Sequence, residues 1–191
     1  MTPRRLYAPV VLATLAAGGL AFFSAGRTWA EADVKAPGLA SARVAVTGSD
    51  AQPLATALAV VVVTAALAIL AAGPRLRRVV GGLTMLVAVT AGVAVVVARR
   101  GGIDDAVVSA AEKSPAYTGP ASLGDISYTP WDLVTATAFV IAVVLGSVTL
   151  RLAPQWPTMS SRYDAPTSRP KDDPSDADLW KAMDRGEDPT V

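Results

Sequence analysis

The chain has no cysteine and no histidine in 191 residues, and aromatic residues make up only 6% of it. Without cysteine there is no disulfide, no thiolate nucleophile and no cysteine-based metal site. Without histidine the common zinc patterns are excluded, as is any Ser-His-Asp or Cys-His arrangement, leaving only carboxylate, Ser, Lys or Tyr chemistry. A third absence is positional. The 17 Lys+Arg and 16 Asp+Glu all avoid four stretches, Leu6 to Ala25, Leu54 to Ala72, Val79 to Ala98 and Leu133 to Leu150. The glycines form no phosphate cradle either: Gly81-Gly82 opens the third stretch without the spacing or Lys of a P-loop, and no nucleotide motif follows Gly101-Gly102.

What is present is apolar length. A helix rising about 1.5 Å per residue needs roughly 20 apolar residues to cross about 30 Å of hydrocarbon, and each stretch comes close to that. One charge at the bilayer centre costs about 2.5 to 3.5 kcal/mol on insertion scales, so charge-free runs of this length fit lipid. Four buried core helices of a soluble domain are the alternative, but too little amphipathic sequence remains to wrap them. The expected fold class is an all-α membrane protein with four transmembrane helices, at about 6–25, 54–72, 79–98 and 131–152. Outer loops 27–53 and 99–130 would form a small extracytoplasmic cap, and 153–191 a cytoplasmic tail.

Basic residues set the expected orientation. With the N-terminus inside, Arg4, Arg5, Arg75, Arg77, Arg78, Arg151, Arg162 and Arg169 lie at cytoplasmic ends, against Arg27, Lys35, Arg43, Arg99, Arg100 and Lys113 outside. Arg99 and Arg100 oppose this bias and are expected to snorkel from the end of helix three. The very short Gly73-Pro74-Arg75 turn is the stronger determinant, and N-in, C-in is the expectation. The first stretch also resembles a secretory signal with Ser24, Ala25 or Ala30 as cleavage site. Its apolar core of about 18 residues exceeds the roughly 7 to 15 of a signal, which favours a retained helix.

Small residues recur at four-residue spacing: Ala13, Ala17, Ala21 and Ala25; Thr84, Ala88 and Gly92; Ala138, Ala142 and Gly146. In lipid such stripes supply close backbone approach, within the bundle or toward a dimer or partner helix. Thr64, Thr90, Thr135 and Thr137 are expected to bond back to their own helix carbonyls rather than to line a polar path. In the loops, Arg43 to Thr47 reads as a short strand ending in a turn at Gly48-Ser49-Asp50, and Ile103 to Lys113 as a short helix. Asp104, Asp105, Glu112 and Asp125 are carboxylates that a cation would use, but solvated loop acids are the plainer reading, and no metal or cofactor is expected. Trp29, Tyr128 and Trp131 on the outer side, with Tyr7 and Trp156 on the inner, are placed as an interfacial aromatic belt.

The tail is polar and rich in Pro and Asp, with eight acidic and six basic residues from Arg151 onward, and is mostly disordered by composition. Ser175-Asp176-Ala177-Asp178 resembles a capping box ahead of Leu179-Trp180-Lys181-Ala182-Met183, with Gly186 as a stop, giving a short helix near 176–185. A one- to two-turn helix cannot stabilise itself, so its aromatic face either docks on a partner or on the bundle, or stays loose.

Several short pieces carry a resemblance: Arg27-Thr28-Trp29, Val46-Thr47-Gly48-Ser49, Arg77-Arg78-Val79-Val80-Gly81-Gly82, Trp156-Pro157, Ser161-Arg162-Tyr163, and Leu179 through Thr190. In this order on a four-helix layout they resemble the Trp biosynthesis-associated membrane protein family, small bacterial proteins named for genes in tryptophan-biosynthesis regions. The resemblance implies a bacterial plasma-membrane location and a genomic link to tryptophan synthesis. It implies no catalytic residue. The functional expectation is a non-enzymatic interaction or scaffold protein, with Arg162, Tyr163, Leu179, Trp180, Met183 and Arg185 as candidate partner contacts. The alternative is a small oligomeric exporter of an aromatic metabolite, although the spans offer no charged site or broken helix for it. The lipid bilayer, a cytoplasmic protein and a second copy of the chain are the partners considered, and nothing points to nucleic acid.

Overall fold

The structure, a computed structural model, describes residues 3–38, 40–156 and 184–185. The chain divides into two compact units, Met1–Trp156 and Pro157–Val191, and the elements below belong to the first. They run α1 (Tyr7–Ala25), β1 (Thr28–Val34), β2 (Ala42–Thr47), α2 (Gly48–Ala51), α3 (Pro53–Ala71), α4 (Pro74–Val97), α5 (Ile103–Ala111), β3 (Ser127–Tyr128) and α6 (Trp131–Leu152).

Helices α1, α3, α4 and α6 have the length and hydropathy to cross a membrane. Pro53 and Pro74 stand at the first turns of α3 and α4, where proline loses no helical hydrogen bond and its fixed φ suits the helix. Helix α4 therefore starts at Pro74 rather than Val79. Arg75, Arg77 and Arg78, which lie before the expected start of the span at Val79, occupy its first turns, and the connection to α3 shrinks to Ala72 and Gly73. The helices pack in a ring, α1 on α3, α3 on α4, α4 on α6 and α6 back on α1. Ala17, Ala21, Ala59, Val62, Ala88, Ala138 and Phe139 fill its centre. The outer surface is apolar as well: Leu12 is 65%, Leu86 61% and Val140 62% exposed, which a water-soluble bundle would not tolerate over such lengths.

Small residues set the closest contacts, and the stripes serve packing inside the bundle. A Cβ on Gly18 would lie 2.9 Å from the Val63 backbone nitrogen, and one on Gly146 would lie 2.9 Å from that of Met85. Gly81, read from the sequence as a helix opening, is the reciprocal contact on α4, where a Cβ would stand 2.9 Å from the Leu150 nitrogen. With no hydrophobic drive between helices in lipid, this backbone approach supplies dispersion energy that larger side chains would forfeit. The hydroxyls of Thr64, Thr90, Thr135 and Thr137 donate to Val60, Leu86, Trp131 and Leu133 carbonyls at 2.8 to 3.0 Å, as their helical setting predicts.

At one end the two long loops fold together. Strand β1 is central in an antiparallel sheet of order β2-β1-β3, so the first loop supplies two strands and the second loop one. Beyond β3 the pairing continues, with Gly124 N–H donating to Asp33 O and Lys35 N–H to Ser122 O, both at 2.8 Å. Ala30, Ala32 and Val34 face inward, while Glu31 and Asp33 face out toward Arg43, at 3.8 and 3.5 Å. Helix α5 covers the inner face with Ile103, Val107 and Ala111, one side of a helix at four-residue spacing. A π-helical turn, Ala98–Gly102, carries α4 into α5. The expected turn at Gly48-Ser49-Asp50 is instead α2, one helical turn closed by a reciprocal capping box between Thr47 and Asp50.

Candidate functional site

Two side-chain clusters fix the ends of the bundle. At the sheet-bearing end, the β1–β2 register shifts between Thr28 and Ala30, and the irregularity turns Trp29 inward, where it is 1% exposed. Its Nε1 donates to Ser24 O at 3.1 Å, and the Ser24 and Thr135 hydroxyls are 2.7 Å apart, joining α1 to α6. The indole lies flat against Gly48. A Cβ there would come within 2.3 Å of Trp29 Cε2, so no other residue fits without moving the ring. Thr28 pairs with Thr47 across the sheet, and Gly48 N–H donates to Arg27 O at 3.1 Å. The pieces Arg27-Thr28-Trp29 and Val46-Thr47-Gly48-Ser49, distant in sequence, are thus two halves of one joint.

Beside this joint Arg99 Nε is 3.1 Å from Asp132 Oδ2; the Asp132 side chain is 6% exposed and that of Arg99 52%. Asp132 sits in the first turn of α6, where the helix dipole also favours a carboxylate. Arg99 was expected to snorkel, and it has a protein partner instead. Asp132 is not among the residues expected to matter, although an acid in the first turn before a charge-free run is a signal the sequence carries. Gln52 Nε2 adds a bond to Ala94 O at 2.9 Å, tying the start of α3 to the end of α4.

At the opposite end, Arg77 is only 5% exposed. Its Nε donates to Ile69 O at 3.0 Å and one terminal nitrogen to Tyr7 Oη at 3.2 Å, with the guanidinium 4.6 Å from the Tyr7 ring centroid. Ile69 lies in the last turn of α3, whose carbonyls have no partner within their own helix. Arginine is suited to this task because it stays charged and presents planar donors. Tyr7 meets Trp156 edge to face, with centroids 5.3 Å apart. Trp156 is 3% exposed, and its Nε1 has no hydrogen-bond partner among the described residues.

These contacts correct the aromatic-belt reading for two of its five residues. Trp29 and Trp156 are buried in protein, whereas Tyr128 is exposed and Trp131 and Tyr7 are partly so. Tyr128 Oη donates to Asp104 Oδ1 at 2.5 Å, and this bond, with smaller contributions from burial and the Asp104 charge, raises the phenol's pKa above its ordinary value. No group of three or more Asp or Glu among the described residues is disposed to hold a metal ion. Of the residues singled out as partner contacts, Arg162, Tyr163, Leu179, Trp180 and Met183 lie outside the described residues. Arg185 is exposed.

Exposed charge differs between the ends. The end holding Tyr7, Arg77 and Trp156 presents Arg5, Arg75, Arg78 and Arg151. The sheet-bearing end mixes exposed Asp50, Asp105, Glu112 and Asp125 and half-exposed Glu31, Asp33 and Asp104 with exposed Arg27, Lys35, Arg43 and Lys113.

A family model described as tryptophan-associated transmembrane protein matches residues 11–190. No curated protein matches the chain. The chain belongs to the tryptophan-associated transmembrane protein family, and it is a multi-pass membrane protein in contact with the lipid bilayer.

Proposed function

We propose that this member of the tryptophan-associated family is a membrane-resident interaction protein that holds its C-terminal segment at the cytoplasmic face of the bacterial plasma membrane. The observation that carries the reading is the arginine-rich end of the bundle. Arg5, Arg75, Arg78 and Arg151 are exposed at the end that holds the joint of Tyr7, Arg77 and Trp156, and the polar C-terminal unit follows directly after Trp156 in the chain. Basic residues flanking short loops favour retention on the cytoplasmic side, so this end is the inner one and the sheet forms an extracytoplasmic cap.

A transporter reading is less well supported by the same geometry. The centre of the ring is filled by alanines and Phe139, and the described hydroxyls of the spans mostly bond back to their own helices. A groove of about 450 Å³ between α4 and α6 is walled by Ala88, Val89, Val93, Val140 and their neighbours, with no charged side chain. Proteins of this architecture that move polar cargo need groups to replace its water.

A photo-crosslinking residue at Trp180 in native membranes tests the proposal. Adducts to one cytoplasmic protein, lost when Leu179 and Met183 are changed to Ala, are expected. Absence of any protein adduct, together with altered tryptophan efflux on gene deletion, would replace the interaction reading with the transporter one.

A further inference from the structure

Among the arginines of the sheet-bearing end whose side chains are described, Arg43 pairs with Glu31 and Asp33, and Arg99 with Asp132. Arg27 forms no ion pair among the described residues. Its guanidinium is instead held by aromatic faces, 4.2 Å from the Phe23 ring centroid and 5.8 Å from that of Trp131, while these two rings meet edge to face at 6.1 Å. Stacking of this kind fixes the plane of the cation and leaves its N–H donors free at the edge.

Those donors border a cavity of about 400 Å³ lined by Phe22, Phe23, Gly26, Arg27, Ser49 and Thr56. Its two parts differ in chemistry. Phe22 and Phe23, each 51% exposed, continue the lipid-facing surface of α1. Arg27, Ser49 and Thr56 close the other part, and because the Thr56 oxygen has no accessible surface, Arg27 is the charged group the cavity offers. Helix α3 also begins here without a side-chain cap, its positive dipole end toward the same region.

We propose that this cavity binds an anionic phospholipid, with the headgroup phosphate on Arg27 and an acyl chain along Phe22 and Phe23. The level is right, because α1 ends at Ala25 and α3 starts at Pro53, where apolar spans give way to the polar sheet. An amphiphile matches an apolar wall ending in a cation, which a free anion does not. No carboxylate lines the cavity, so the ammonium of a zwitterionic headgroup gains no partner while still offsetting the phosphate charge. Net negative headgroups are therefore selected.

Native mass spectrometry of the full-length protein, released from detergent containing equal phosphatidylglycerol and phosphatidylcholine, tests this directly. The expected result is an adduct preference for phosphatidylglycerol of about tenfold, the scale of one charge-assisted hydrogen bond. Arg27→Gln should abolish the preference, whereas Arg43→Gln, which changes an arginine already paired with acids, should leave it intact. Excess inorganic phosphate should not displace the lipid. Equal binding of the two lipids, a preference that survives Arg27→Gln, or displacement by phosphate would each overturn the proposal. If Arg27→Gln fails to fold, the parent protein decides: a preference that rests on one exposed cation should fall as salt is raised, and a salt-independent preference would overturn the proposal.

Discussion

Replacing Gly48 by alanine adds one carbon, and the structure shows where it would go. The new Cβ would lie 2.3 Å from Trp29 Cε2, 2.5 Å from Cζ2 and 2.6 Å from Nε1, far inside any tolerated contact. Relief requires the indole to move, yet its other side is packed and its Nε1 is bound to Ser24 O at 3.1 Å. Overpacking of a tight site costs about 1 to 3 kcal/mol, and leaving a buried donor unpaired costs a further 1 to 3 kcal/mol or so. Alanine returns roughly 1 kcal/mol through better helix propensity, so a net loss of about 1 to 5 kcal/mol is expected. Thermal unfolding in mild detergent, followed by near-ultraviolet circular dichroism of the tryptophans, measures it. The decisive comparison is a double-mutant cycle. In a Trp29→Leu background the alanine has no ring to meet, and Gly48→Ala should then cost less than about 0.5 kcal/mol. Equal costs in the two backgrounds would refute the joint between the two motif pieces.

Three other outcomes follow from the geometry. Trp156→Ala should lose about 3 to 5 kcal/mol by emptying the space against Tyr7, while Trp156→Phe keeps the ring, removes an N–H that has no partner, and should melt within a degree or two of the parent. Tyr128 should ionise later than an ordinary tyrosine in an ultraviolet titration, and Asp104→Asn should return it toward the usual value near 10. The raised pKa means that this bond stabilises the fold fully below the unfolded-state pKa and is lost as pH rises through the folded one. Because the chain has no cysteine, single Asp125→Cys and Arg75→Cys variants are directly readable with a membrane-impermeant maleimide. Labelling of Asp125→Cys alone in intact spheroplasts is expected, and labelling of Arg75→Cys alone would invert the proposed orientation.

The four spans were legible because charge exclusion over about 20 residues is a local property with one dominant cause. So was the self-bonding of the threonines, which needs only the preceding turn of the same helix. Strand β1 was harder. Glu31 and Asp33 alternate with Ala30, Ala32 and Val34, but alanine has weak strand preference and small hydrophobic weight, so the alternation was faint. The two buried tryptophans misled for a related reason: an indole at the end of an apolar run has the local chemistry of an interface anchor, and only the remote Gly48 or Tyr7 decides that it is covered by protein. Arg77 falls in the expected turn because charge exclusion puts the start of the span at Val79, whereas the helix begins at Pro74. Its partner, the end of α3, exists only once the helices pack. The candidate contacts in the C-terminal segment, Arg185 apart, lie outside the described residues, so the partner reading rests on the sequence and on the arginine-rich end that precedes them.

The central place of β1 has a consequence for how the protein is assembled. Helices α1 and α3 with their loop, and α4 and α6 with theirs, are two hairpins, each able to enter a bilayer as a unit. The pairing of β1 with β3, with the backbone bonds that Asp33 and Lys35 make to Gly124 and Ser122, joins the two loops, and it can form only if both loops have reached the same side. A hairpin inserted in the wrong sense would leave β1 with an open edge and Asp33 O and Lys35 N–H without their partners from the second loop. The sheet is therefore complete only when the two hairpins have entered the bilayer in the same sense.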